Sequence, residues 1–396
     1  MVPNDWEILP FSDIATIGNG QVDPKEEPYL SMKHIGPENV ISHSGQLVDL
    51  HTSKELALIS GKYFFDDNAI VYSKIRPNLN KVCTPHFVGI CSADMYPIWP
   101  KPFVDKNFLF QYMLGPIFNK IAISFSMRTG MPKINRADLN GIEIAIPPIK
   151  EQHKIAKILS TWDKSIIITE NLIANSEMQK KSLMQQLLTG KKRLLDENGV
   201  RFSGEWKRTQ LKTFLTESTL RNKSSNIERV LSITNHSGFV LPEEQFSKRV
   251  ASNNVENYKI VTNGQFGYNP SRLNVGSFGR LDQYENGVLS PMYVIFNVDT
   301  SKVHSDYFLF WMGSGEANQR IKNSTQGSVR ESVGFDALCA IPFNLPSISE
   351  QEKIAEVISN ADREIELLQA KLEHLKQEKK ALMQQLLTGK RRVVIN

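Results

Sequence analysis

Four stretches of this chain hold residues suited to gripping a polyanion rather than to breaking bonds. SKIRPNLNKV (73–82) contributes Lys74, Arg76, Asn78, Asn80 and Lys81, and MRTGMPKIN (127–135) adds Arg128, Thr129 and Lys133. In the other half, NPSRLNVGSF (269–278) lines up with the first stretch, Arg272 on Arg76, and contributes Ser271, Arg272 and Asn274, and STQGSVRES (324–332) adds Gln326, Ser328 and Arg330. Ammonium and guanidinium groups pair with phosphate oxygens, while Arg, Asn, Gln and Ser also match the donor and acceptor edges of bases. Any one of these loops reads as a solvated turn. Four of them, at matching places in two halves, point to a nucleic-acid surface.

The groups that catalysis needs do not occur at usable spacing. There is no G-x-x-x-x-G-K-[ST] phosphate loop and no glycine-rich dinucleotide fingerprint. YNPSR (268–272) and IPPI (146–149) each miss the [DNS]-P-P-[FYW] pattern of an adenine methyltransferase. DPKEE (23–27) gathers acids in a proline-flanked segment with nothing to hold a magnesium geometry, and the eight histidines never pair at ligand spacing on a helix. Cys83, His86 and Cys91 are zinc-type residues, but a structural zinc takes four ligands, so two apolar thiols on a strand-turn-strand are expected instead. The chain reads as a binding device with no metal or cofactor of its own.

Composition sets the outer bounds. A length of 396 residues suits two or three domains, and 40% apolar residues can build a core in each. A net charge of +5 permits nucleic acid without demanding it. No apolar run approaches the roughly 18–20 residues that span a bilayer, and MVPNDWEILP lacks the features of a secretion signal. Three cysteines form no disulfide framework. A cytoplasmic chain without a membrane partner is expected.

An internal repeat supplies the elements that position the loops. KKSLMQQLLTGKKR (180–193) returns as KKALMQQLLTGKRR (379–392), and EQHKIAKILSTWDKSI (151–166) as EQEKIAEVISNADREI (350–365), in one ungapped register. Each block predicts one helix of about 40 residues, roughly 60 Å long. In the second copy Ile354, Ile358, Ala361, Ile365, Leu368, Leu372, Leu375, Lys379, Leu382 and Leu386 alternate steps of four and three, the period of a coiled-coil seam. The first copy carries Ile155, Leu159, Trp162, Ile166, Thr169, Ile173, Ser176, Lys180, Leu183 and Leu187 on the same track. Two stripes in one register imply that the helices pack on each other. Pro147-Pro148 and Pro346 precede them, Ser347 with Glu350 fits a capping box, and Gly190 and Gly389 fit left-handed C-caps. The triplets Lys191-Lys192-Arg193 and Lys390-Arg391-Arg392 read as solvated charge against the helix dipole.

The stretches before the helices share faint anchors: Trp6 and Trp206, Leu30-Ser31 and Leu231-Ser232, Phe108-Leu109-Phe110 and Phe308-Leu309-Phe310. Short β-type runs such as FFDDNAIVYS (64–73) and GVLSPMYVIFNV (287–298) mark mixed α/β domains. The expected organisation is α+β with a pseudo-twofold: a globular domain at 1–145, a long helix at 146–190, a linker at 191–204, a second domain at 205–345, a second long helix at 346–390 and a basic tail at 391–396. An antiparallel helix pair is the simpler arrangement. A domain of this size has a radius of gyration near 14 Å, so a parallel pair would force the chain back along the whole first helix.

Two variable domains, each followed by P-x-x-x-E-Q-x-K-I-A and a helix ending in LMQQLLTGK(K/R)R, resemble the specificity subunits of type I restriction-modification enzymes. RPNLNKV and SPMYVIF also resemble stretches of that family's target-recognition domains. The resemblance implies that each globular domain reads one half of an asymmetric bipartite site in double-stranded DNA, with the antiparallel helices as spacer. It implies docking of two modification subunits, which carry S-adenosylmethionine and methylate adenine. It also implies restriction subunits, which use ATP and magnesium to translocate and cut. A two-domain interaction protein on a coiled-coil strut and a stand-alone DNA-binding regulator are the alternatives from other classes.

Overall fold

The computed structural model describes residues 2–126, 132–235, 237–245, 255–325 and 332–394. The chain forms two compact units, Met1–Leu172 with Leu368–Asn396, and Ile173–Leu367. Both long helices are therefore shared. The first, Ile149–Leu187, gives its beginning to the first unit and its end to the second; the other, Ile348–Leu386, does the reverse.

In the first unit a four-stranded antiparallel sheet runs in the order Ala15–Ile17, Met95–Pro100, Ile70–Ser73, Val82–Cys83. The second unit repeats it as Leu215–Ser218, Val294–Val298, Phe266–Tyr268, Phe278–Arg280. Three helices follow each sheet in the same order, Lys106–Leu114, Pro116–Ser126 and Arg136–Asn140, then Ser305–Met312, Gly315–Thr325 and Phe335–Cys339. An outer strand pair closes each domain, Glu7–Pro10 with Glu143–Ile146 and Lys207–Gln210 with Pro342–Leu345.

The two cores fill one frame with different side chains. Ile70 faces Ile98 across the first sheet, and Phe266 faces Phe296 at the matching place in the second. Phe266 also stacks on Phe278 at 5.7 Å and meets Phe308 edge-on at 5.3 Å. An aliphatic pair at this place in one sheet and an aromatic pair in the other both stay in the core, so the frame persists while its side chains change. Of the anchors, the two Phe-Leu-Phe runs occupy equivalent helices. Leu30-Ser31 and Leu231-Ser232 do not correspond: the first pair lies in a short 3-10 turn, and Ser232 opens a strand.

Within each unit the helix segments run antiparallel along the expected stripe. In the first, Asp163 accepts from Lys379 at 2.5 Å and Glu170 from Lys376 at 2.9 Å, so numbers rise on one helix as they fall on the other. In the second, Lys180 pairs with Asp362. Seam residues Ile155, Leu159, Leu187, Ile354, Ile358, Ile365 and Leu386 are buried, and Trp162, Ile166, Ile173, Leu183, Ala361, Leu368, Leu372, Leu375 and Leu382 are half-buried. Thr169, a break in the apolar stripe, is buried with its hydroxyl bonded to the Ser165 carbonyl. Lys180 and Lys379, the shared breaks, each meet an aspartate of the opposite helix.

The helix ends depart from the expectation in two ways. The Ser347 hydroxyl accepts the Glu350 N–H at 3.4 Å, but the Glu350 carboxylate does not complete the capping box. It accepts from Arg193 Nε (2.5 Å) and Nη2 (2.7 Å) and from Trp206 Nε1 (3.1 Å). Glu151 is held likewise by Arg392 (2.8 Å twice) and Trp6 Nε1 (3.1 Å). The last arginine of each triplet is thus an ion-pair partner of a buried carboxylate at the start of the other helix, not solvated capping charge. Gln152 and Gln351 complete the pattern, each accepting a backbone N–H ahead of a domain helix, from Asp105 (2.7 Å) and His304 (2.8 Å).

Gly190 and Gly389 both adopt φ +71° and let the chain fold back for these contacts. A Cβ on Gly389 would meet Pro3 at 2.5 Å, whereas one on Gly190 would rest at 3.4 Å from Trp206. Gly389→Ala is expected to cost about 2–3 kcal/mol, and Gly190→Ala only the backbone part of about 1–2 kcal/mol. Chemical denaturation of the two variants checks this; equal losses would remove the contact argument.

Candidate nucleic-acid interface

The first loop follows a strand, Ile70–Ser73, that is buried throughout and so anchors it firmly. Arg76 (φ +47°) and Asn80 (φ +40°) bracket a 3-10 turn at Pro77–Leu79. Left-handed backbone at a non-glycine residue is strained by about 1 kcal/mol or more, and here the surroundings enforce it. The Arg76 N–H donates to the Pro132 carbonyl (2.7 Å), the Ile134 N–H to the Lys74 carbonyl (2.9 Å), and Ile75 bridges Lys133. The loop therefore lies against the returning arm of the MRTGMPKIN stretch. Arg128 and Thr129 lie outside the described residues.

Arg76, Asn78 and Lys133 are exposed on this platform. Lys74 is half-buried, with its ammonium 5.3 Å from the Tyr96 ring centre. Asn80 does not belong with them. It is 1% exposed, and its Nδ2 donates to the Leu114 carbonyl at 2.8 Å, so it fastens the loop to the domain instead of facing a ligand. The Lys81 ammonium donates to the Pro37 carbonyl at 2.6 Å and braces the next loop. Arg136, absent from the sequence-derived set, reaches the Ile17 carbonyl (3.1 Å) and lies 4.9 Å from the Tyr96 ring centre. The signal was present, since the basic run MPKIN continues into Arg136.

The second unit builds the same platform from other residues. Asn269 accepts the Ser271 N–H (3.1 Å), a 3-10 turn runs Pro270–Val275, and Gly276 (φ +92°) closes it. The Val333 N–H donates to the Pro270 carbonyl (3.0 Å), bringing in the arm after the second glycine-centred loop. Ser271 and Arg272 are exposed, Asn274 is half-buried, and Leu273 between them is buried. Gln326, Ser328 and Arg330 lie outside the described residues. The turns correspond through Pro77 and Pro270, not through Arg76 and Arg272 as the sequence pairing suggests. Arg76 precedes its proline; Arg272 follows its own by two residues.

Each platform can offer cations, amides and hydroxyls from a rigid base. Cys83 and Cys91 are buried, burial pushes both thiols well above the usual range, and His86 is exposed. Among the described residues no group of three or more His, Cys, Asp or Glu could hold a metal ion. None of the helices among those residues is long and apolar enough to cross a membrane.

Comparison with known proteins gives a consistent picture. The family model described as the type I restriction modification DNA specificity domain matches residues 3–177 and 283–377. The chain is 35% identical over 187 residues to the type I restriction enzyme EcoDI specificity subunit of Escherichia coli, which covers 47% of this chain and 41% of that protein. It is 26% identical to the MjaVIII specificity subunit of Methanocaldococcus jannaschii, over 99% of this chain and 94% of that one. Among solved structures, a chain from work on complex assembly and conformational transition of a type I restriction-modification system has a TM-score of 0.61. That likeness, at 15% identity over 99% of this chain and 100% of the other, shows the fold.

Proposed function

Since this chain belongs to the type I restriction-modification DNA specificity family, we propose that it is the DNA-reading subunit of such a system. Its two units read the unlike halves of one bipartite site in double-stranded DNA. The observation that carries this is the duplicated frame, which presents equivalent platforms with different exposed side chains, Arg76 and Asn78 in one and Ser271 and Arg272 in the other. One job is done twice on different targets.

Methyl transfer and cleavage belong to partners in this reading. Two modification subunits bring S-adenosylmethionine, and restriction subunits bring ATP and magnesium; this chain binds none of these and works in the cytoplasm. Binding to duplex DNA should weaken steeply with salt as phosphate contacts release counterions. Arg76→Ala should cost about 1–3 kcal/mol on sites carrying the first half and leave the second half's preference intact, with Arg272→Ala the converse. Fluorescence anisotropy on half-site-randomised duplexes measures both. Unchanged binding of both variants at moderate salt would overturn the loop assignment. The purified chain alone should transfer no methyl groups to DNA; transfer without a modification subunit would overturn the division of labour.

A further inference from the structure

A cavity of about 840 Å³ opens in the first unit, between the 41–46 loop, the helix Pro116–Ser126 and the two long helices. Its size falls within the usual range for small-molecule sites. Ile123, Ile166, Ile167 and Met383 give it apolar walls, and four lysines line it. Two of these are already committed, Lys379 to Asp163 and Lys376 to Glu170. Lys120 and Lys380 have no ion pair or hydrogen bond among the described residues, so the cavity keeps two uncompensated positive charges beside an apolar wall.

One further observation points to a ligand. The second unit does not repeat the lining. Where the first has Ile123 and Ile167, the matching helix positions hold Lys322 and Glu366. A duplicated frame that keeps an apolar cationic cavity on one side only fits an occupant bound once per chain.

We propose that this cavity binds one small organic phosphate with an apolar body, of mononucleotide size. Lys120 and Lys380 take the phosphate, and the isoleucine wall takes the body. The cavity shares Asn80 with the base of the first platform's turn, but its proposed ligand contacts are other residues and do not depend on the platforms' role with DNA. Calorimetric titration of the full chain with adenosine monophosphate is expected to show one saturable site. Lys120→Glu/Lys380→Glu should weaken it by about tenfold or more, because two charge-assisted contacts are lost. Ile123→Lys should weaken it comparably. All three positions are surface or half-buried, and an unchanged circular dichroism melt confirms that the variants fold. Titrations with inorganic phosphate and octanoate separate head from body. Phosphate binding as tightly as the nucleotide would overturn the role of the wall, and octanoate binding in place of the nucleotide would overturn the phosphate assignment. No saturable binding of the nucleotide at millimolar concentration, or binding unmoved by the charge reversal, would overturn the site itself.

Discussion

Arg193→Ala should be among the most destabilising substitutions of any partly exposed side chain in this protein, at about 3 kcal/mol or more. The Glu350 carboxylate it serves is 1% exposed, and Arg193 itself 20%. Removing the guanidinium strands a buried charge with one neutral donor, Trp206 Nε1, left to it. The loss also takes the contact of Arg193 with the Gly204 carbonyl at 2.9 Å. If the stranded charge dominates, adding Glu350→Gln should recover much of the stability, because a neutral carboxamide oxygen still accepts from the indole. A double variant as unstable as the two singles summed would assign the effect to packing instead. Arg392→Ala should cost less. Its side chain is 43% exposed against 20% for Arg193, so water reaches the Glu151 carboxylate more easily once the arginine is gone. Denaturation monitored by tryptophan fluorescence suits the comparison, since Trp6 and Trp206 sit on the two latches.

These latches show what the repeat made legible and what it hid. The shared break at Lys180 and Lys379 is plain in the sequence, and so is the heptad track around it. The partner is not, although Asp163 and Asp362 also recur at the same spacing. Nothing in a one-dimensional stripe says that an acid off the seam on one helix will meet a lysine on the seam of the other. Polar groups on a seam define register at some cost in stability, which is what two reciprocal Lys–Asp contacts do here. Glu151 was readable only as a first-turn acid and Glu350 only as a capping-box partner, because their arginines lie far off in sequence and at the opposite end of the partner helix.

The turns proposed to contact DNA were legible as turns but not in detail. Proline, arginine and asparagine in RPNLN mark a turn, and the structure puts a turn there. Which of its asparagines faces solvent depends on the carbonyl of Leu114, at the end of a helix more than thirty residues later. The same limit explains the faulty pairing of Arg76 with Arg272. Side-chain type was matched, whereas the backbone equivalence runs through the prolines, which set φ for the turn regardless of what flanks them.

The largest functional effect is expected from helix length. The division between the units falls at Leu172/Ile173 in one helix and Leu367/Leu368 in the other, so residues added there leave the internal contacts of each unit untouched. Seven residues added at both places restore the seam, because the stripe repeats every seven. Each helix grows by about 10 Å at 1.5 Å per residue, close to three base pairs of duplex. If helix length sets the spacer between half-sites, the lengthened protein should lose its original site. It should select one with the same halves and about three more base pairs between them. Three base pairs also turn one half-site by roughly a quarter turn or more around the duplex, since a turn takes about 10 base pairs, so a general loss of affinity should accompany the change. Selection from a library with randomised spacer length reads the outcome directly. Adding four residues to one helix alone should instead throw the stripe out of phase, separate Lys180 from Asp362 or Lys379 from Asp163, and lower stability before any question of spacing arises. A heptad variant that folds and keeps its original spacer would mean that the helices do not measure DNA, and that the identity of their repeated ends serves the latches and the partner subunits alone.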